Sequence, residues 1–259
     1  VLETEPGSRE TFMHCFQYGN SPYPIRSGLA TAHQVYWQAL ARPGTWFSGS
    51  ERVAIAAEVR NAVNCPLCVD RKLALSPNSV QGEHLCGNLL TPTAVNAVHR
   101  VITDQSRITQ AYVQECAARG LSEEQYVELV GVAVTVFSID EFNRALGLPL
   151  EPLPEPEAGE PTRYRPALAV RGTGFVSMLP ANGAEGEESD LWEVDAAANV
   201  LRALTLVPNA VREWMAVGDE QYLSMQGMTL FSDFPDRSLN RMQIELVAGR
   251  VSSYNECFY

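Results

Sequence analysis

What is scarce in this chain sets the first limits. Cationic residues are few: 19 Lys+Arg stand against 31 Asp+Glu, a formal net charge of −12. No basic cluster offsets that balance, so nucleic acid and anionic membranes would be repelled and neither is expected as a partner. Long apolar runs are also missing, and none approaches the roughly 18 residues that cross a bilayer. Six cysteines in 259 residues are too sparse for a secreted disulfide scaffold. The N-terminal Val1-Leu2-Glu3-Thr4-Glu5 is neither a signal peptide nor a start methionine and reads as a processed or trimmed end. Apolar–polar alternation is too weak to argue for a β-sheet. The expectation is a soluble, cytoplasmic, all-α protein with mostly reduced thiols.

The material for a core is present: 46% of residues are hydrophobic and 19% charged, an ordinary globular balance. Helical patterns run over Gly28–Ala41, from the capping box Ser48-Gly49-Ser50-Glu51 to about Asn64, and over Pro92–Ile102, Ile108–Ala118 and Ser122–Ala145. Six prolines mixed with acidic residues between Leu148 and Pro166 predict an extended, semi-rigid connector. Helical patterns resume at Leu191–Leu204, Ala210–Met225 and Leu239–Ser253. The expected organisation is a first helical unit at 1–148, a Pro-rich and acidic linker at 149–190, and the start of a second helical unit at 191–259. A weak internal repeat supports it: Val35-Tyr36-Trp37-Gln38-Ala39-Leu40 and Val211-Arg212-Glu213-Trp214-Met215 each precede an Arg-led helix that leads to a cysteine. The second copy stops two residues after Cys257, before it could bury its own face.

The chemistry centres on Cys65-Pro66-Leu67-Cys68. Pro66 suits the first turn of a helix, so the pair opens one. The free N–H groups there would favour a thiolate, and the second thiol, one turn on, could resolve an oxidised partner into a disulfide. His84 and His99 are candidates for moving protons near the thiols; either could equally be a surface or hydrogen-bonded core histidine. Glu58 stands two helical turns before Cys65 and could draw a proton from a thiol, or could pair with Arg60, Arg71 or Lys72. The rival use of the thiols is structural zinc, with Cys65, Cys68, His84 and Cys86 as ligands.

These residues resemble the alkylhydroperoxidase-D-like / carboxymuconolactone decarboxylase superfamily. Its redox branch has Glu, eleven residues, Cys-x-x-C, then His four residues on. The segment Glu245-Leu246-Val247-Ala248-Gly249-Arg250-Val251-Ser252 is similar to the family's helix, with Glu245 twelve before Cys257. The first copy keeps both cysteines, but Val53 and Lys72 occupy the family's glutamate and histidine positions. The resemblance implies two all-α units, the second cut short. It implies reduction of a small-molecule peroxide by Cys65 and Cys68 or by Cys257 with Glu245, no cofactor, and recycling by a dithiol reductant. In the first copy Glu58 with His84 or His99 would replace the missing base. Homo-oligomer formation, or a further polypeptide segment completing the second unit, is also implied. Two alternatives stay open: a proton-transfer enzyme of the decarboxylase branch, and a non-catalytic, zinc-stapled helical oligomer.

Overall fold

Local capping signals place most of the helix ends. The computed structural model describes residues 15–84, 89–192, 197–224, 227–228, 234, 237–255 and 257. Helix α1 spans Ser27–Ala41. Helix α2, Gly49–Val63, starts at the expected capping box: Glu51 N donates to Ser48 Oγ at 3.3 Å and Ser48 N donates to Glu51 Oε2 at 2.8 Å. Helix α3, Pro66–Leu73, carries Pro66 in its first turn, where no N–H is needed. Helices α4, Pro92–Thr103, and α5, Gln110–Ala118, are capped by the hydroxyls of Thr91 and Thr109. Helix α6, Glu123–Ala145, opens on a second capping box, Ser122 with Gln125. Helices α7, Asn199–Arg202, α8, Pro208–Gln221, and α9, Arg241–Tyr254, follow. Among the described residues there is no β-strand, only an isolated antiparallel bridge between Val170 and Met178. The protein is all-α.

The periodicity read as a helix over Leu191–Leu204 condenses to the single turn of α7, with residues 193–196 outside the described ones. Ala197 N bonds instead to Ala181 O at 2.8 Å, and Thr205 Oγ1 accepts from Leu179 N at 2.8 Å. Tertiary hydrogen bonds have overridden the local propensity.

Helices α2, α4 and α6 pack against one another and α1 lies on α2. Their shared core holds Trp37, Leu40, Ile55, Val59, Val98 and Leu129, with Ala56, Ala62, Ala97 and Ala133 where backbones approach closely. Each large side chain buried there contributes on the order of 1.5–3 kcal/mol.

Compact contacts divide the chain into Val1–Val217 and Gly218–Tyr259. Residues 149–190 lie within the first unit. The proline-rich stretch carries no helix or strand over 148–166, and it is bonded to α1 and the turn after it. Trp37 Nε1 donates to Pro152 O at 2.8 Å, Glu157 N to Ala41 O at 2.7 Å, and Arg163 N to Thr45 O at 2.8 Å. Within the second unit, α9 has no buried residue among those described, and Met242, Leu246, Val247 and Tyr254 are exposed. No helix among the described residues is long and apolar enough to cross a membrane.

Candidate functional site

The thiols sit at the elbow between α2 and α3. Helix α2 ends at Val63, Asn64 caps it, and Cys65 is the residue that begins α3. Cys65 and Cys68 are both buried. Two turns back along α2, Glu58 faces the same side, and α4 lays His99 across it. His99 Nε2 lies 2.7 Å from Glu58 Oε1, and His99 Nδ1 lies 3.2 Å from Cys68 Sγ. Glu58 and His99 are 2% and 1% exposed, so this relay is shielded from bulk water. His84, from the loop after α3, places Nδ1 3.5 Å from Cys65 Sγ and 3.7 Å from Cys68 Sγ. The two imidazoles are in contact, centroids 3.9 Å apart, with their planes tilted by 39°.

The outer partners give the two histidines different jobs. The Glu58 carboxylate accepts from His99 Nε2, leaving Nδ1 as the lone pair that faces the Cys68 thiol. On His84, Nε2 meets the Asn96 side-chain amide nitrogen at 3.2 Å, and Asn96 Oδ1 in turn accepts from Tyr112 OH at 2.8 Å. With this amide orientation His84 carries its proton on Nδ1 and donates toward sulfur. Burial lowers His84 to about 4, helped by the neighbouring His99, Arg71 and Arg100. Burial also lowers His99, against the opposing pull of Glu58. Both rings are therefore neutral at pH 7. Burial pushes the Cys68 thiol up to about 11, and the proximity of Cys65 adds to the rise while the Thr103 hydroxyl and Arg71 oppose it. Cys68 thus rests as a thiol, with a neutral base in hydrogen-bonding contact.

Several sequence expectations meet different partners here. Arg60 does not take Glu58; it forms a two-pronged pair with Asp140, at 2.8 and 2.9 Å. Glu58 is shared between His99 and Asn61 Nδ2, the latter at 3.3 Å. Cys65 was the thiol expected to gain from the helix start, yet its side chain makes no capping bond to the first turn. The base lies instead against Cys68. Cys86 lies outside the described residues. In the other unit, Glu245 accepts from Tyr222 OH at 2.7 Å and pairs with Arg241 at 2.6 Å, while Cys257 is exposed. The sequence reading missed Asn96 and Tyr112. Asn96 had a visible signal, since it stands three residues before His99 and so on the same face of α4.

Beside Cys68 is a cavity of about 20 Å³, bordered by His99, Arg71, Lys72, Arg100 and Arg107. That is room for about one water-sized group. Its rim also carries Asp104, paired with Arg107, and of the cations there Arg71 opposes the rise of the Cys68 thiol without reversing it. A larger cleft of about 720 Å³ reaches His84, Asn96 and Arg100 from the side of Tyr112 and Cys116. No protein-family model, no curated protein and no solved structure matches the chain.

Proposed function

We propose that the chain is a dithiol oxidoreductase that reduces hydroperoxides, of the alkylhydroperoxidase-D-like kind its sequence resembles. The observation that carries this reading is the buried line Glu58–His99–Cys68, at 2.7 and 3.2 Å, with a second thiol beside it. Val53 and Lys72 stand where the family has glutamate and histidine, and Glu58 and His99 supply the same residue types from α2 and α4. The exposed apolar residues of α9 support the further expectation of self-association or of a tandem second unit.

His99 Nδ1 takes the Cys68 proton as the thiolate forms, and Glu58 stabilises the imidazolium. The thiolate attacks the outer oxygen of ROOH; the S–O bond forms and the O–O bond breaks. The departing alkoxide takes the proton from His99 and leaves as ROH, with Cys68 now a sulfenic acid. Cys65 attacks that sulfur, giving the Cys65–Cys68 disulfide and water. An external dithiol then returns both thiols. His84 Nδ1–H, directed at both sulfurs, stabilises whichever one bears charge.

The test is a thiol count on the reduced, metal-free chain after one equivalent of an alkyl hydroperoxide. Two thiols are expected to disappear per peroxide and to return with a dithiol. Cys68→Ser should abolish the reaction, and Cys65→Ser should leave a sulfenic acid that a dimedone probe traps. Unchanged thiols in the wild-type chain would overturn the proposal. Activity on an acidic carbon substrate that survives both substitutions would favour proton transfer of the decarboxylase branch.

A further inference from the structure

The same elbow has a second chemical property that electron transfer alone does not require. Among the described residues, Cys65, Cys68, His84 and His99 place one potential ligand atom each within 4.8 Å of one another. We propose that the reduced site binds a soft divalent cation of the zinc class through Cys65 Sγ, Cys68 Sγ, His84 Nδ1 and His99 Nδ1, and that hydroperoxide and cation compete for the thiols.

The edge lengths carry the argument. Bonds of about 2.3 Å to sulfur and about 2.05 Å to nitrogen, at the tetrahedral angle, set sulfur and nitrogen about 3.6 Å apart. The observed separations are 3.5 Å for Cys65–His84, 3.7 Å for Cys68–His84 and 3.2 Å for Cys68–His99. These three edges lie within about 0.4 Å of those of a tetrahedron around one ion, and the remaining ones are within 4.8 Å. Two sulfurs and two imidazoles in this arrangement suit zinc above oxygen-seeking cations.

The outer nitrogens are served as a metal site requires. A metal-bound imidazole carries its hydrogen on the far nitrogen and donates it to an oxygen. Glu58 Oε1 already sits 2.7 Å from His99 Nε2. At His84 the Asn96 amide turns over, so that Oδ1 accepts from Nε2 while Nδ2 donates to the Tyr112 hydroxyl, which can accept as well as donate. Among the described residues His99 of α4 supplies the fourth ligand atom; Cys86, the fourth ligand expected from spacing, lies outside them.

Binding releases a proton from each thiol as its thiolate joins the ion. Removal is also balanced: one hydroperoxide and two protons convert the two metal-bound thiolates into a disulfide, ROH and water, and free the cation. This inference shares its residues with the hydroperoxide reading, but ion binding does not depend on that chemistry.

The experiment titrates the reduced, metal-free full chain with Co²⁺, then with Zn²⁺, following absorption and bound metal. One ion per chain is expected, with the visible bands of tetrahedral cobalt and thiolate-to-cobalt absorption, all lost when Zn²⁺ displaces Co²⁺. His84→Ala and His99→Ala should each weaken binding at least tenfold, and Cys65→Ser should remove most of the thiolate absorption. Cys86→Ser should leave binding unchanged. Circular dichroism confirms that each variant is folded, and native mass spectrometry counts ions independently. An octahedral cobalt spectrum, or binding indifferent to both Cys65→Ser and Cys68→Ser, would overturn the site. A metal-free chain that consumes peroxide but takes up no ion rejects the cation site and leaves the redox reading intact. Ion binding with thiols inert to peroxide keeps the cation site and rejects the competition and the redox reading.

Discussion

Glu58 Oε1 and His99 Nε2 meet at 2.7 Å across the packed faces of α2 and α4, 41 residues apart in the chain. This contact decides which ring nitrogen is free to face Cys68. Glu58 is a positioning residue: it acts on sulfur only through His99. Replacing it by Gln keeps the shape but removes the charge that steadies an imidazolium. Sulfenic acid formation in Glu58→Gln is expected to slow by about 10²-fold or more, a share typical of general acid–base relays. Stopped-flow peroxide consumption measures this. The pH profile must change with it, whereas alkylation of Cys68 near pH 11, where no base is needed, should be unaltered. Equal loss at every pH would indicate a purely structural role.

Asn96 makes a second, separate prediction. Its amide links His84 Nε2 to Tyr112 OH, and Asn96→Ala leaves the imidazole without its tautomer-setting partner. A lost net hydrogen bond of about 1.4 kcal/mol corresponds to roughly tenfold. Peroxide reduction is expected to fall by about that factor. Asn96→Asp offers only acceptors to Nε2 when ionised, moves the His84 hydrogen there, and should fall further.

A pH effect on stability is expected away from the thiols. Glu128, 3% exposed, accepts from Thr45 N at 3.2 Å and from Trp46 N, and faces Arg52 Nε at 3.7 Å. Arg52 is shared with Glu213, whose carboxylate lies 2.6 Å from its Nη2. Burial raises Glu128 to about 7, against the pull of Arg52, with Glu213 reinforcing the rise. The folded state therefore holds more protons than the unfolded state between about pH 4.5 and 7. Stability from this group is complete below that window and is lost as pH rises through it. The buried histidines His33, His84 and His99 are lowered and act in the opposite sense, so the Glu128 contribution is read as wild type minus Glu128→Gln. That difference in urea unfolding free energy should fall from pH 5 to pH 7.5 by an amount on the order of 1–3 kcal/mol, and a difference independent of pH would exclude the role.

Packing between α6 and α8 yields a simpler test. A Cβ on Gly131 would lie 2.8 Å from Ala210 Cβ, whereas one on Gly218 would meet open space. Gly131→Ala is expected to destabilise by about 1–3 kcal/mol through overpacking. Gly218→Ala should be neutral or stabilise by up to about 1 kcal/mol, as Ala does where its methyl meets open space in a helix. Thermal unfolding of the two variants compares them directly.

Helix positions were legible because their signals are local. The two capping boxes at Ser48 and Ser122, and Pro66 at the head of α3, act within one turn and need no tertiary partner. The dithiol was legible for the same reason, since its spacing is a property of four consecutive residues. Less visible was the place of the proline-rich stretch. Composition predicts a stretch without helix but not that the carbonyl of Pro152 would meet the Trp37 indole.

By itself, then, the sequence determined the all-α class, the caps and the thiol pair at a helix start, each through interactions a few residues long. Only the tertiary structure decided that Glu58, rather than pairing with Arg60, turns His99 toward Cys68, and that His84 and Asn96 close the other side. The reason is physical: α2 and α4 bring their faces together by burying Ile55, Val59, Ala97 and Val98. Which polar atoms meet across that seam follows from its packing and from no pattern within either helix.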